Sequence, residues 1–105
     1  MFPNLLDRVK IILDYEFTIE HDDMLNEFIR NFVQMVNLYV GTEELPIELD
    51  FIVVECTVAR YLRRGAEGFA SESLGEISIS YEDIITPYIP YLETYKATNK
   101  KVKFL

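Results

Sequence analysis

Apolar positions recur at helical spacing along most of the chain. Leu6, Val9 and Leu13 fall three and four residues apart, with Leu5 and Ile12 widening that face. This spacing predicts a first helix over about Asn4 to Asp14. Pro3 and Asn4 suit its start, as a ring that presets φ and a capping amide. Tyr15 to Glu20 alternates apolar and acidic residues, but its position suits a loop. A second helix is predicted over about Asp22 to Val40, where Leu25, Phe28, Ile29, Phe32, Val33, Val36 and Val40 form one stripe. Asp22 or His21 can cap it, and Asp23 and Glu27 complement the positive end of its dipole. Gly41 ends it, since glycine adopts the left-handed conformation of a helix terminus cheaply.

After an acidic connection and Pro46, a third helix is predicted from about Ile47 to Arg64. It is apolar nearly all round, from Leu49 through Val53 and Cys56 to Leu62, and so belongs in the middle of a core or under a partner. The run Ile52, Val53, Val54 also suits a strand, but the segment is too long for one. Arg60, Arg63 and Arg64 gather in its last turns, where cations suit the dipole. Gly65 is expected to stop it. From Gly65 to Tyr81 the composition turns to glycine and serine, and Ile77, Ile79 and Tyr81 alternate with Ser78 and Ser80. A final helix follows over about Pro87 to Thr98, with Tyr88, Tyr91, Leu92 and Tyr95 as its stripe and Pro90 in its first turn. The fold class expected is mainly α. It is a small bundle of about four helices with a long Gly/Ser-rich loop that has room for a short β-hairpin or strand.

Composition narrows the function classes. The 105 residues fit one small domain, and a 50% hydrophobic share excludes wholesale disorder. One Cys cannot close an intramolecular disulfide. No apolar run is long enough for a membrane span, and Met1 to Leu13 lacks the pattern of a signal peptide. The charge is divided along the chain. Up to Glu93 there are 18 acidic residues against six basic ones, a formal −12, whereas Lys96 to Leu105 has four Lys and no acid, +4. The acidic body argues against a general nucleic-acid binder, which needs clustered Lys and Arg. The division reads as a single helical domain over residues 1–95 followed by a basic tail over 96–105.

Candidate chemistry is sparse. His21 has no nucleophile motif beside it and, with Asp22 and Asp23, supplies too few ligands for zinc; it reads as an exposed helix-start residue. Cys56 sits in the most apolar helix and reads as a buried structural thiol. The pairs Asp22–Asp23 and Glu43–Glu44 lack the spacing of a calcium loop and read as solvated. Gly65-Ala66-Glu67-Gly68 is no phosphate loop, because it follows a helix, lacks the Lys-Ser/Thr ending and lies among carboxylates. No catalytic set, metal site or cofactor motif emerges. The 7 Tyr and 7 Phe say more: Tyr81, Tyr88, Tyr91 and Tyr95 crowd the last quarter, where they serve either core packing or an interface.

Residues 60–81, Arg-Tyr-Leu-Arg-Arg-Gly-Ala-Glu-Gly-Phe-Ala-Ser-Glu-Ser-Leu-Gly-Glu-Ile-Ser-Ile-Ser-Tyr, resemble the head–tail connector (adaptor) family of tailed phages. The shared features are an apolar helix ending in Arg-Tyr and basic residues, then Gly-x-Glu-Gly, then Ser-Glu-Ser-x-Gly and a serine-rich stretch reaching Tyr. Glu44-Leu45-Pro46 before the Val-rich helix matches too. Two features depart from that pattern: Tyr15 to His21 is more apolar, and Pro87 and Pro90 make the last helix less regular.

The resemblance implies a structural virion protein rather than an enzyme. It implies a ring of such subunits, twelve to match the portal, beneath the portal at the head–tail junction. Such a ring extends the DNA channel, lets DNA pass without sequence-specific binding, and supports a downstream neck or tail completion protein. The subunit would be made in the bacterial host cytoplasm and could be a monomer when free. No membrane contact or cofactor is implied.

The expected subunit and portal contacts fall in three groups. Gly65, Glu67, Gly68, Ser71, Glu72, Ser73 and Gly75 would form a contact loop. Tyr81, Tyr88, Tyr91 and Tyr95 would supply aromatic area. Lys96, Lys100, Lys101 and Lys103 would dock a basic tail into an acidic portal surface. The rival reading from composition alone is a small acidic regulatory binding protein that mimics nucleic-acid charge.

Overall fold

A computed structural model describes residues 4–14, 20–74 and 81–103, and the side chains of 4–14, 20–63 and 83–98. The elements in chain order are α1 (Leu5–Leu13), α2 (Asp22–Val40), a 3-10 turn (Ile47–Leu49), α3 (Asp50–Leu74), α4 (Tyr81–Ile85), a second 3-10 turn (Thr86–Tyr88) and α5 (Ile89–Lys103). The described residues contain no strand, and the small, mainly α bundle read from the periodicity is the architecture observed.

The helix ends follow local chemistry. The Asp7 N–H donates to Asn4 Oδ1 at 2.8 Å, which caps α1 and stabilises such a helix by about 1 kcal/mol. α1 stops at Asp14, whose φ of 76° lies in the left-handed region. Gly41 closes α2 at φ 78°, with its N–H donating to the Asn37 carbonyl at 2.8 Å. Pro46 stands before the first 3-10 turn, and the Leu49 N–H returns to its carbonyl at 3.0 Å. Pro87 occupies the start of the second turn, where a missing N–H costs no helical bond.

α3 is the central element and packs against α1, α2 and α4. Ile52, Val53, Cys56 and Thr57 are fully buried, and Val54 and Tyr61 nearly so. That covers more than one stripe, as its all-round apolar pattern required. α2 contributes Leu25, Phe28, Ile29, Phe32 and Val36, and α1 contributes Val9. The C-terminal elements close the core through Ile84, Ile85 and Leu92. Two ion pairs fix α1 on its neighbours: Arg8 to Asp50 at 2.9 Å and Lys10 to Asp22 at 2.6 Å. Asp22, one of the acids read as solvated, therefore has a partner.

Four expectations change. Gly65 does not stop the third helix, which runs on to Leu74. A glycine inside a helix costs about 1 kcal/mol relative to alanine, too little to end one flanked by Arg, Ala, Glu and Leu. The three arginines are consequently not at a helix terminus. Arg60 instead lies 4.9 Å above the Phe28 ring, a cation–π contact. His21 does precede α2, but it is half-buried and its Nδ1 is 2.6 Å from the Tyr61 hydroxyl. The last helix also reaches further than expected, to Lys103. The alternation at Ile77 and Ile79 lies outside the described residues, as do Tyr15 to Ile19.

The molecule measures 53 × 35 × 18 Å, with a radius of gyration of 15.3 Å. A compact chain of this length would have a radius near 13 Å. A 25-residue α3, about 38 Å long at 1.5 Å per residue, accounts for the elongation.

Candidate interaction surface

Phe51 opens α3 one step out of register with the buried Ile52 and Val53. Its ring is therefore left half-buried at the edge of the core. Leu92, fully buried, anchors α5; Tyr88, Tyr91 and Tyr95 flank that anchor at helical spacing. The result is an aromatic cluster. Tyr91 meets Phe51 edge-on at 5.4 Å and 84°, and Tyr88 meets it at 6.4 Å and 72°. Edge-to-face pairs of this kind add about 0.5–1.5 kcal/mol beyond area burial.

Phe51 lies between two clefts. One, of about 240 Å³, is lined by Arg8, Ile11, Ile12, Phe51, Val54 and Glu55. The other, of about 510 Å³, is lined by Glu48, Leu49, Phe51, Tyr91, Thr94, Tyr95 and Thr98. Ile11, Ile12 and Tyr91 are 61%, 52% and 54% exposed. Large apolar side chains gathered in this way mark an interaction surface, whereas scattered ones need no explanation.

A second, separate surface lies on α2. Leu38 is 83% exposed and falls on the side of the helix opposite its buried stripe. It borders a cleft of about 340 Å³ with Gln34, Asn37, Thr42 and Glu43. This cleft shares no residue with the aromatic flank. Leu62, 64% exposed on α3, is a further apolar site.

α5 is fastened to α2 beside these surfaces. The Tyr39 hydroxyl donates to the Glu93 carboxylate, and the Lys96 ammonium lies 4.9 Å over the Tyr39 ring. The carboxylate that accepts this hydrogen bond pushes the Tyr39 hydroxyl up from its ordinary pKa, with burial and the carboxylate charge adding to the effect. Burial likewise pushes up the Tyr88 hydroxyl.

The expected contact residues divide accordingly. Tyr88, Tyr91 and Tyr95 come together on the aromatic flank, and Lys96 packs on Tyr39. Gly65, Glu67, Gly68, Ser71, Glu72 and Ser73 lie on the helical backbone of α3, Tyr81 starts α4, and Lys100, Lys101 and Lys103 lie on α5; their side chains are outside those described. Gly75 is outside the described residues. Sequence reasoning missed Phe51, Ile11 and Ile12 as surface residues. For Leu38 the signal was available, since it falls off the stripe of α2.

The remaining reactive groups are closed off. Cys56 is fully buried, its thiol 4.0 Å from the Ile84 carbonyl, and burial, helped by the Glu55 charge, pushes its pKa up to about 12. Such a thiol is a poor nucleophile. Among the described residues no three His, Cys, Asp or Glu side chains are grouped to hold a metal ion, and no described helix is long and apolar enough to cross a membrane.

No curated protein and no solved structure matches the chain. The family model for the phage gp6-like head–tail connector protein matches residues 3–96. That span takes in α1, α2, α3, α4 and the first half of α5, and with them the core and nearly all of both surfaces just described. The chain therefore belongs to the phage gp6-like head–tail connector family, a family of structural connectors at the junction of phage head and tail.

Proposed function

We propose that this chain is one subunit of a ring beneath the portal, which extends the DNA channel and carries the tail machinery. The family match over residues 3–96 carries this reading. The surface supports it: a head-to-tail ring joins two different patches of each subunit. The aromatic flank at Phe51 and Tyr91 and the separate patch at Leu38 supply two candidates. The elongated shape leaves more surface for neighbours than a compact chain of this size has. The acidic body suits a channel wall, because like charge does not hold a moving duplex as basic walls would.

The partners are further copies of the chain, the portal protein, and a downstream neck or tail completion protein. We assign the subunit to the virion, after synthesis in the host cytoplasm, and no enzymatic step to it. Electron microscopy of the full chain mixed with the portal of the same phage tests the ring. Twelve copies stacked coaxially on each portal are expected. A single copy per portal, or no complex, would overturn the proposal. Binding to a nucleic-acid-binding protein in place of the portal would favour the acidic-mimic reading.

A further inference from the structure

We infer that two free copies of the chain pair antiparallel along the outer face of α3, with Glu55 of each copy against Arg63 of the other. The pairing concerns the chain before assembly and does not rest on the ring reading.

Phe51, Glu55, Val58 and Leu62 fall four, three and four residues apart, so they share one face of α3. That spacing is the seam along which two helices pack. The face is left partly open: Phe51 and Val58 are half-buried, Glu55 is exposed and Leu62 is 64% exposed. At one end the cleft of about 240 Å³ opens beside α1, with Ile11, Ile12, Phe51 and Val54 as apolar walls and Glu55 at its edge. At the other end Leu62 stands beside Arg63, which is also exposed. One end is an apolar hollow with a carboxylate, and the other is an apolar knob with a cation.

The two ends do not meet within one copy. Glu55 and Arg63 make no ion pair among the described residues. Arg8, which also lines the cleft, is taken by Asp50. No cation stands three or four residues from Glu55 on α3. Arg63 lies about 12 Å along the axis beyond Glu55, and helical side chains lean toward the N-terminus, which carries the Glu55 carboxylate away from it. Leu62 is as far from Val54, whereas a leucine side chain reaches only about 4 Å from its Cα.

A second copy brings both ends together. A two-fold axis through Val58 sets residues equally far from Val58 level with each other. Leu62 then faces Val54 and the cleft, and Gly65, which has no side chain, falls level with Phe51. Arg63 falls level with Val53, about 3 Å along the axis from Glu55. Hollow and knob lie on one face of one helix, so the two-fold makes every contact twice, as an isologous interface does. The pair covers Phe51 and must open before that ring can serve the assembly proposed above.

Sedimentation of the full chain without portal, from low to high micromolar concentration, tests the pairing. Wild type is expected to pass from monomer to dimer and no further. Glu55→Arg and Arg63→Glu, both at exposed positions and both checked for an unchanged helical spectrum, should each raise the dimer dissociation constant about tenfold or more, because like charges then face each other at both contacts. An equal mixture of the two variants should recover dimers holding one copy of each, since opposite charges face each other again; native mass spectrometry would identify them. Wild type that stays monomeric, dimers indifferent to both substitutions, variants that do not recover on mixing, or species larger than a dimer would overturn the pairing. None of these outcomes bears on the portal complex, so the ring stands or falls by its own test.

Discussion

Phe32 and Tyr91 carry rings of nearly the same size, yet one is 0% exposed and the other 54%. Phe32 sits on the α2 stripe against α3, enclosed by Leu25, Val36, Ile52 and the rest of the core. Tyr91 leans edge-on against Phe51 and leaves half its surface to solvent. The difference teaches how a 50% hydrophobic share is divided in so short a chain. One portion specifies the fold, while the other stays at the surface, partly in solvent. The two portions meet at Phe51.

Substitutions should separate these portions. Phe32→Ala should have the largest effect on the fold, costing about 3–5 kcal/mol through lost burial and the cavity left behind. Urea denaturation would measure it, and a loss below that range would mean the core re-closes around the gap.

Alkaline titration probes the core next. The Cys56 thiol keeps its proton in the folded chain up to about 12, against 9.0 when exposed. The unfolded chain loses that proton first, so stability should be complete below pH 9 and fall as pH rises toward 12. Denaturation midpoints across that range should fall less steeply in Cys56→Val, which has no proton to lose. An equal slope would show that the thiol is not shielded.

Smaller effects belong to the periphery of α1. Asn4→Ala removes the cap and should cost about 1 kcal/mol. Arg8→Ala breaks a partly exposed ion pair with Asp50 and should cost about 0–1 kcal/mol, less in high salt. Thermal denaturation at two salt concentrations would rank the pair.

The packed portion was the more legible in sequence. The α2 stripe and the glycine at its end follow from periodicity and φ alone, and the all-round apolar α3 announced its central place. The surface portion was harder to read, because exposure depends on which neighbours arrive. Phe51 looks like any core residue until the first turn of α3 sets it at the edge, and Ile12 widens the predicted face of α1 yet remains outside. Gly65 misled for a different reason: its propensity penalty is real but is outweighed by the helix formers around it. The pattern of the last helix leaves its tyrosines open between core and interface, and the fold leaves Tyr88 and Tyr95 half-buried and Tyr91 exposed. The connector resemblance came from the order of features after α3, which no single periodicity carries.

The division itself is tested by assembling wild type and Tyr91→Ser side by side on the portal and weighing the complexes by native mass spectrometry. Losing a half-exposed ring and its edge-on contact with Phe51 should cost the fold about 1–2 kcal/mol, well short of Phe32→Ala. Wild type is expected to add twelve subunits per portal, and the folded variant to add far fewer at the same concentration. Equal occupancy by the two proteins would contradict the assignment of the aromatic flank to assembly.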